Sequence, residues 1–149
     1  MSPLTSEAKF TLTLEYAKSL VDPLAQSDWA PLMGVIDPDV RWRIASETND
    51  LKKMTGVFNL STWMEQISGP LVKRLVNDAP PQFTVQYLQT VGNRLIMEAY
   101  GQAVQKNGNP YQNTYAWFFT FSEETGKVVE IHEYLDTALV QEVVQTNTL

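Results

Sequence analysis

The spacing of apolar positions changes part-way along the chain, from a helical step to a strand step. Phe10, Leu14, Ala17, Val21 and Leu24 follow one another by four, three, four and three, which is one face of a helix starting near Thr5 or Ser6. Asp22-Pro23 breaks or kinks it. A short helix is expected over 28–35, with Asp28 as N-cap and Trp29 and Leu32 on its inner side. Asp37-Pro38-Asp39 reads as a turn, and Val40-Arg41-Trp42-Arg43-Ile44 as a strand with Val40, Trp42 and Ile44 on one face and the arginines on the other. Beyond a polar loop over 46–55, Leu60, Met64, Ile67, Leu71 and Leu75 form a second helical stripe. Asn59 or Ser61 caps this stripe, and Gly69-Pro70 interrupts it with a kink or a division into two helices.

After Pro80-Pro81 the period becomes two. Strands are expected over 83–91, 94–105, 111–121 and 128–135, joined by short turns rich in Gly, Asn and Pro, which makes an antiparallel meander. A short helix over 137–144 closes one end. Helices first and a long sheet afterwards is an α+β pattern: a curved, cone-shaped antiparallel sheet whose helices close a central cavity. The odd positions of 111–121 are Tyr111, Asn113, Tyr115, Trp117, Phe119 and Phe121, an aromatic face with one amide. The strand over 94–105 admits two orientations. Hydrophobicity alone turns Leu95, Met97, Ala99, Gly101 and Ala103 inward. In the other orientation Glu98, Tyr100 and Gln102 line the cavity, and the small apolar face packs on a partner subunit.

The closing strand carries the candidate chemistry. Its alternation groups Val129, Ile131, Glu133 and Leu135 on one face and Glu130, His132, Tyr134 and Asp136 on the other. Glu133 therefore points with the apolar set. Apolar surroundings disfavour the charged form, which raises a glutamate from its ordinary value of about 4.3 towards neutrality. That is the condition for moving protons near pH 7. A rim position or an arginine partner would leave it an ordinary acid.

The 149 residues, 44% of them hydrophobic, suit a single domain spanning 1–149. A net charge of −6 argues against nucleic acid and anionic membrane surfaces, whose phosphates need a basic face. With no cysteine and one histidine, disulfides, thiolate chemistry and a multi-histidine metal site are excluded. The first seven residues have neither a basic start nor an apolar run, so a soluble cytoplasmic protein is expected.

The order of elements, with Tyr111-Gln112-Asn113-Thr114-Tyr115 and the closing run Gly126-Lys127-Val128-Val129-Glu130-Ile131-His132-Glu133-Tyr134-Leu135-Asp136-Thr137, resembles the nuclear transport factor 2-like superfamily and its SnoaL-like and ketosteroid-isomerase-like branch. The resemblance implies a cone-shaped α+β barrel and a homodimer formed through the sheet. It also implies an acidic proton-transfer residue on the last long strand, at the position of Glu133. Where epoxide hydrolases of this kind have an Arg and an Asp on the middle strand, this chain has Tyr100 and Gln102. The expected activity is a cofactor-independent, metal-free isomerisation or cyclisation of a small apolar substrate, polyketide- or terpenoid-like. Glu133 and Tyr100 are the candidate catalytic groups, with Trp42, Trp63, Glu98, Gln102, Asn113, Tyr115, Trp117 and Ile131 around the substrate. The alternatives are a non-catalytic small-molecule binder or dimeric interaction module, and an epoxide hydrolase or dehydratase.

Overall fold

A computed structural model describes residues 8–149. The expected helix start at Thr5 or Ser6 lies outside the described residues, and residues 8–13 are not helical. They are held as extended chain: Phe10 donates its N–H to the Glu123 carbonyl, and the Leu12 N–H donates to Asn93 Oδ1. Helix α1 (Leu14–Val21) begins only after Thr13, whose side chain accepts the Tyr16 N–H. A 3₁₀ turn, Asp22–Gln26, follows with Pro23 in its first turn. Helix α2 is shorter than expected, Ala30–Met33. Asp28 does accept a backbone N–H, that of Ala30, through its side chain.

Strand β1 runs Ile36–Ile44 and so takes in Asp37-Pro38-Asp39, which is not a free turn. The irregularity that the proline suggests is a register shift between Ile36 and Arg41. A strand not evident in the sequence, β2 (Gly56–Phe58), pairs antiparallel with β1. The stripe over 60–75 is divided. Helix α3 (Leu60–Trp63) starts in a reciprocal capping box between Asn59 and Thr62. A π-helical turn, Met64–Ser68, carries the chain into α4 (Gly69–Val72). Pro70 has no N–H for a regular ladder, and this wider turn falls immediately before it.

The meander is present as β3 (Gln82–Val91), β4 (Arg94–Val104), β5 (Pro110–Phe121) and β6 (Val128–Tyr134), followed by α5 (Thr137–Thr146). The six strands lie in the order β2-β1-β6-β5-β4-β3. All neighbours are antiparallel except β1 and β6, which run parallel, so the sheet is mixed and not wholly antiparallel. It does not close into a barrel, because β2 and β3 are edges. Its inner face is the odd face of β4 and β5 together with Trp42, Ile44, Ile131 and Glu133, and the helices pack over it. No helix among the described residues is long and apolar enough to cross a membrane.

The pairing of β4 with β5 settles the orientation of β4. Met97 faces Trp117, Ala99 faces Tyr115, and Gly101 faces Asn113, so on the buried side each β4 residue is smaller than its β5 neighbour. A side chain at Gly101 would meet Phe83 Cε1 at 2.9 Å and Tyr115 Cε1 at 3.0 Å. Gly101→Val is therefore expected to destabilise the fold by about 1–3 kcal/mol through overpacking, read as a lower urea midpoint at unchanged slope.

Candidate functional site

Between the sheet and the segment from α3 to α4 lies a cavity of about 390 Å³. Trp63, Ile67, Ser68 and Leu71 close it on the helical side, Trp29 and Met33 come from the N-cap and the last residue of α2, and Phe83, Tyr115, Trp117 and Glu133 form its floor. Glu133 is 3% exposed and, among the described residues, is the only acidic or basic one lining the cavity. Burial raises its carboxyl from the ordinary 4.5 to about 7.

Strand pairing explains why tryptophans surround this acid. Glu133 lies opposite Trp117 across the β5–β6 ladder and opposite Ile44 across β1–β6. Trp42, two residues before Ile44, reaches diagonally, and its Nε1–H donates to Glu133 Oε1 at 2.8 Å. This bond partly opposes the rise in pKa. The N–H groups of Trp117 and Trp63 are also near enough to oppose it, yet neither meets the carboxyl with hydrogen-bond geometry, and among the described residues both are without a partner. Trp63 stacks on Trp42 with ring centroids 3.8 Å apart, so the α3 segment holds the lid side of the carboxyl in place.

A second polar group reaches the cavity through the tyrosines of β5. Asn113 is fixed by the backbone at Asp136: its Nδ2 donates to the Asp136 carbonyl at 3.1 Å and its Oδ1 accepts the Asp136 N–H at 3.0 Å. Nδ2 also donates to the Tyr111 hydroxyl at 3.1 Å, and the Tyr111 and Tyr115 hydroxyl oxygens are 2.5 Å apart. Either oxygen of this pair can donate; when Tyr111 donates to Tyr115, the Tyr115 O–H is free for another acceptor. Burial pushes Tyr111 up to about 12 and Tyr115 well above its usual range, so both are neutral donors at pH 7.

Of the residues expected to form the site, Glu133, Tyr115, Trp63 and Trp117 line the cavity. Trp42 contacts the acid from behind. Asn113 is buried and acts through Tyr111, and Ile131 is buried beneath the floor without lining it. Tyr100, Glu98 and Gln102 do not line the cavity. They lie on the opposite face of β4, with Glu98 and Gln102 exposed, because the apolar face of that strand turned inward. The catalytic assignment of Tyr100 and the lining assignments of Glu98 and Gln102 therefore have no support in the geometry. His132 is on that outer face too, 3.1 Å from Glu130, and burial holds its imidazole below the usual range. Arg41 and Arg43 pair with Glu47 there.

Trp29, Phe83 and Tyr111 are site residues that the alternation argument did not select. Trp29 sat on the inner side of a predicted helix, and Tyr111 on the aromatic face that also holds Tyr115, so both carried a signal. Phe83 carried only its place in a strand pattern.

No protein-family model matches the chain, and no curated protein matches it. Solved structures do. An NTF2-like protein from Burkholderia thailandensis superposes with a TM-score of 0.65 at 16% identity, over 89% of this chain and 96% of that one. The fold is that of the nuclear transport factor 2-like proteins. A SnoaL-like polyketide cyclase from Jannaschia sp. shares the NTF2-like fold at a TM-score of 0.63 and 14% identity, over 99% of this chain and all of that one. TerC, crystallised with polyporic acid, superposes at 0.65 and 14% identity, over 89% of this chain and 98% of its own. The SnoaL branch of the NTF2-like superfamily is thus represented among the structural neighbours, across nearly the whole chain.

The buried acid has a thermodynamic signature. From about pH 4.5 to about 7 the folded chain retains a proton that the unfolded chain releases, so stability falls as pH rises through this window and levels off above it. A shift of this size corresponds to about 3 kcal/mol. Glu133→Gln keeps an acceptor for Trp42 and removes the titration. Melting curves are expected to show wild-type Tm declining between about pH 5 and 7 and the variant losing much less.

Proposed function

We propose that this protein is an isomerase- or cyclase-type enzyme that moves a proton on an apolar, polyketide- or terpenoid-like substrate, with Glu133 as the proton carrier and no cofactor. The observation that carries this reading is the placement of one carboxyl, raised to about 7, on the floor of an aromatic cavity. An acid with this pKa is present in both forms at neutral pH, so it can take a proton and return it.

In the step that fits these residues, the Glu133 carboxylate removes a proton from a carbon beside a carbonyl. The electron pair moves into the carbonyl, and Tyr115 donates a hydrogen bond to the oxygen as negative charge develops there. The Glu133 acid then returns the proton to a different carbon of the conjugated system, which is isomerisation. Alternatively the carbanion attacks a second carbonyl carbon, a carbon–carbon bond forms, and the Glu133 proton goes to the new alkoxide, which is cyclisation. Indole and phenol rings around the acid exclude water, which would otherwise quench the carbanion.

The presence of SnoaL-like polyketide cyclase and isomerase descriptions among the structural neighbours supports this class of chemistry. Epoxide hydrolysis fits less well, because the lining residues offer no second carboxyl and no arginine beside Glu133 to activate water and polarise the epoxide. A non-catalytic binder would use the same cavity, and turnover separates the two.

Exchange of the α-protons of an enolisable cyclic ketone in deuterated water, followed by proton NMR, tests the reading. Glu133→Gln is expected to slow exchange by at least about 100-fold, and Tyr115→Phe by about 100-fold through loss of the oxyanion donor. The wild-type rate is expected to rise with pH through about 7 as the base form appears. Equal rates for wild type and Glu133→Gln would leave ligand binding without catalysis as the function.

A further inference from the structure

The floor of the cavity is shut off from solvent, although its rim is not. Phe83, Tyr115, Trp117 and Glu133 are each no more than 4% exposed, whereas Met64, which also lines the cavity, is half exposed. A ring-sized molecule reaches Glu133 only if part of the wall moves. The floor itself is held in β-ladders, and Trp29 is wedged edge-on against Phe83 and Trp117, with centroids 5.3 Å and 6.0 Å away.

The helical side of the wall is pinned at its two ends. At the end of α3, Trp63 stacks on Trp42 and its backbone N–H donates to the Asn59 carbonyl at 2.9 Å. Beyond α4, Arg74 is tied in several directions. Its Nη1 donates to the Pro70 carbonyl at 2.7 Å, and its Nε to the Val144 and Asn147 carbonyls at 3.0 Å, at the end of α5. Its own carbonyl accepts the Lys106 N–H at 2.9 Å. Asn147, 4% exposed, carries the knot into the β4–β5 connection by donating to Gln105 Oε1 at 2.8 Å and accepting the Asn107 N–H at 2.9 Å. Buried polar networks with their partners in place hold one arrangement.

Between these anchors lies the π-helical turn, Met64–Ser68, and it is weakly supported. Its closing bond, from the Gly69 N–H to the Met64 carbonyl, spans five residues instead of the four of a regular helix. Pro70 has no N–H, so the Gln66 carbonyl lacks the donor that a regular ladder places four residues on. Met64, Glu65 and Gln66 are exposed, which leaves little packing to hold the turn shut. A Cβ on Gly69 would lie 2.8 Å from the Met64 carbonyl oxygen, so this geometry depends on glycine there.

We propose that residues 64–69 are a gate: the π-helical turn opens locally between its two fixed ends, lifts Met64 and Ile67 off the cavity to admit a molecule, and closes over it. The gate rests on the proposed use of this cavity as a ligand site and is independent of proton transfer.

Amide exchange of the free protein, followed residue by residue by NMR, is the first test. After correction for intrinsic rates, the Gly69 N–H is expected to exchange at least about tenfold faster than those of Trp63 and Lys73, which close regular turns on either side. Saturation with 1-naphthol, an uncharged ring probe, is expected to slow Gly69 the most. Pro70→Ala restores a donor for the Gln66 carbonyl at a position outside the cavity lining. Stopped-flow tryptophan fluorescence is expected to show 1-naphthol entering and leaving this variant about fivefold more slowly, the effect of one net hydrogen bond on the open population, with Kd within about twofold of wild type. If Gly69 is as protected as both flanks in the free protein, the gate does not exist, whether or not Pro70→Ala folds. Unchanged rates in a folded Pro70→Ala variant would overturn it as well, and so would a failure of 1-naphthol to bind. A fast Gly69 slowed by 1-naphthol, together with no turnover on any enolisable ketone, would overturn the proposed catalysis and leave the gate standing.

Discussion

The hydrogen bond from Trp42 to Glu133 is the constraint around which the site is arranged. It ties β1 to β6 across the one parallel pairing of the sheet and, among the described residues, supplies the one well-formed donor to the buried carboxyl. Without it the acid would be more costly to ionise, since burial alone drives the pKa upward and the indoles are what oppose it. Trp63 depends on the same contact, because it stacks on the Trp42 ring and so fixes the start of the helical lid relative to the sheet. The acid, the lid and the parallel strand pair are thus one mechanical unit.

The polar groups of the cavity are supported in two different ways. Glu133 is held by side chains of neighbouring strands, whereas Tyr115 is held by a chain that ends on backbone: Asp136 fixes Asn113, which fixes Tyr111, which meets Tyr115. Asp136 also caps α5 by accepting the Leu139 N–H. The orientation of the Tyr115 hydroxyl is therefore linked to the start of the last helix, a few residues after the acid itself. Both functional groups are set by rigid elements, the arrangement that keeps donor positions precise.

Much of this was legible in the sequence because period two is a strong signal. The grouping of Glu133 with Val129, Ile131 and Leu135 gave its buried side, although Val129 turned out exposed. The aromatic odd face of 111–121 is likewise the cavity side. The strand over 94–105 was ambiguous because its apolar face is mostly small residues while the other mixes Ile96 and Val104 with Glu98, Tyr100 and Gln102. What resolves it is a pairwise relation between strands: Met97, Ala99 and Gly101 leave the room that Trp117, Tyr115 and Asn113 occupy beside them. Tyr100 fell to the other face for that reason, not for any property of tyrosine. Strand β2 was invisible because three residues carry almost no pattern, and its edge is dressed by a side chain, with Asn49 both donating to and accepting from the Val57 backbone. The π-helical turn was equally hidden, since the apolar spacing across Gly69-Pro70 does not distinguish a kink from a widened turn.

The parallel pairing of β1 with β6 also governs when the site comes into being. Trp42 and Glu133 are separated by 91 positions, and strands β3, β4 and β5 are synthesised between them. Until the last strand emerges and inserts beside β1, the aromatic face of β5 has no neighbour on that side and the cavity has no acid. Contacts of such long sequence separation form late, after the loop-closure cost of the intervening chain has been met. A chain cut short before Glu133 would thus present a sticky aromatic surface with no buried carboxyl, so that completing the fold and completing the cavity are a single event.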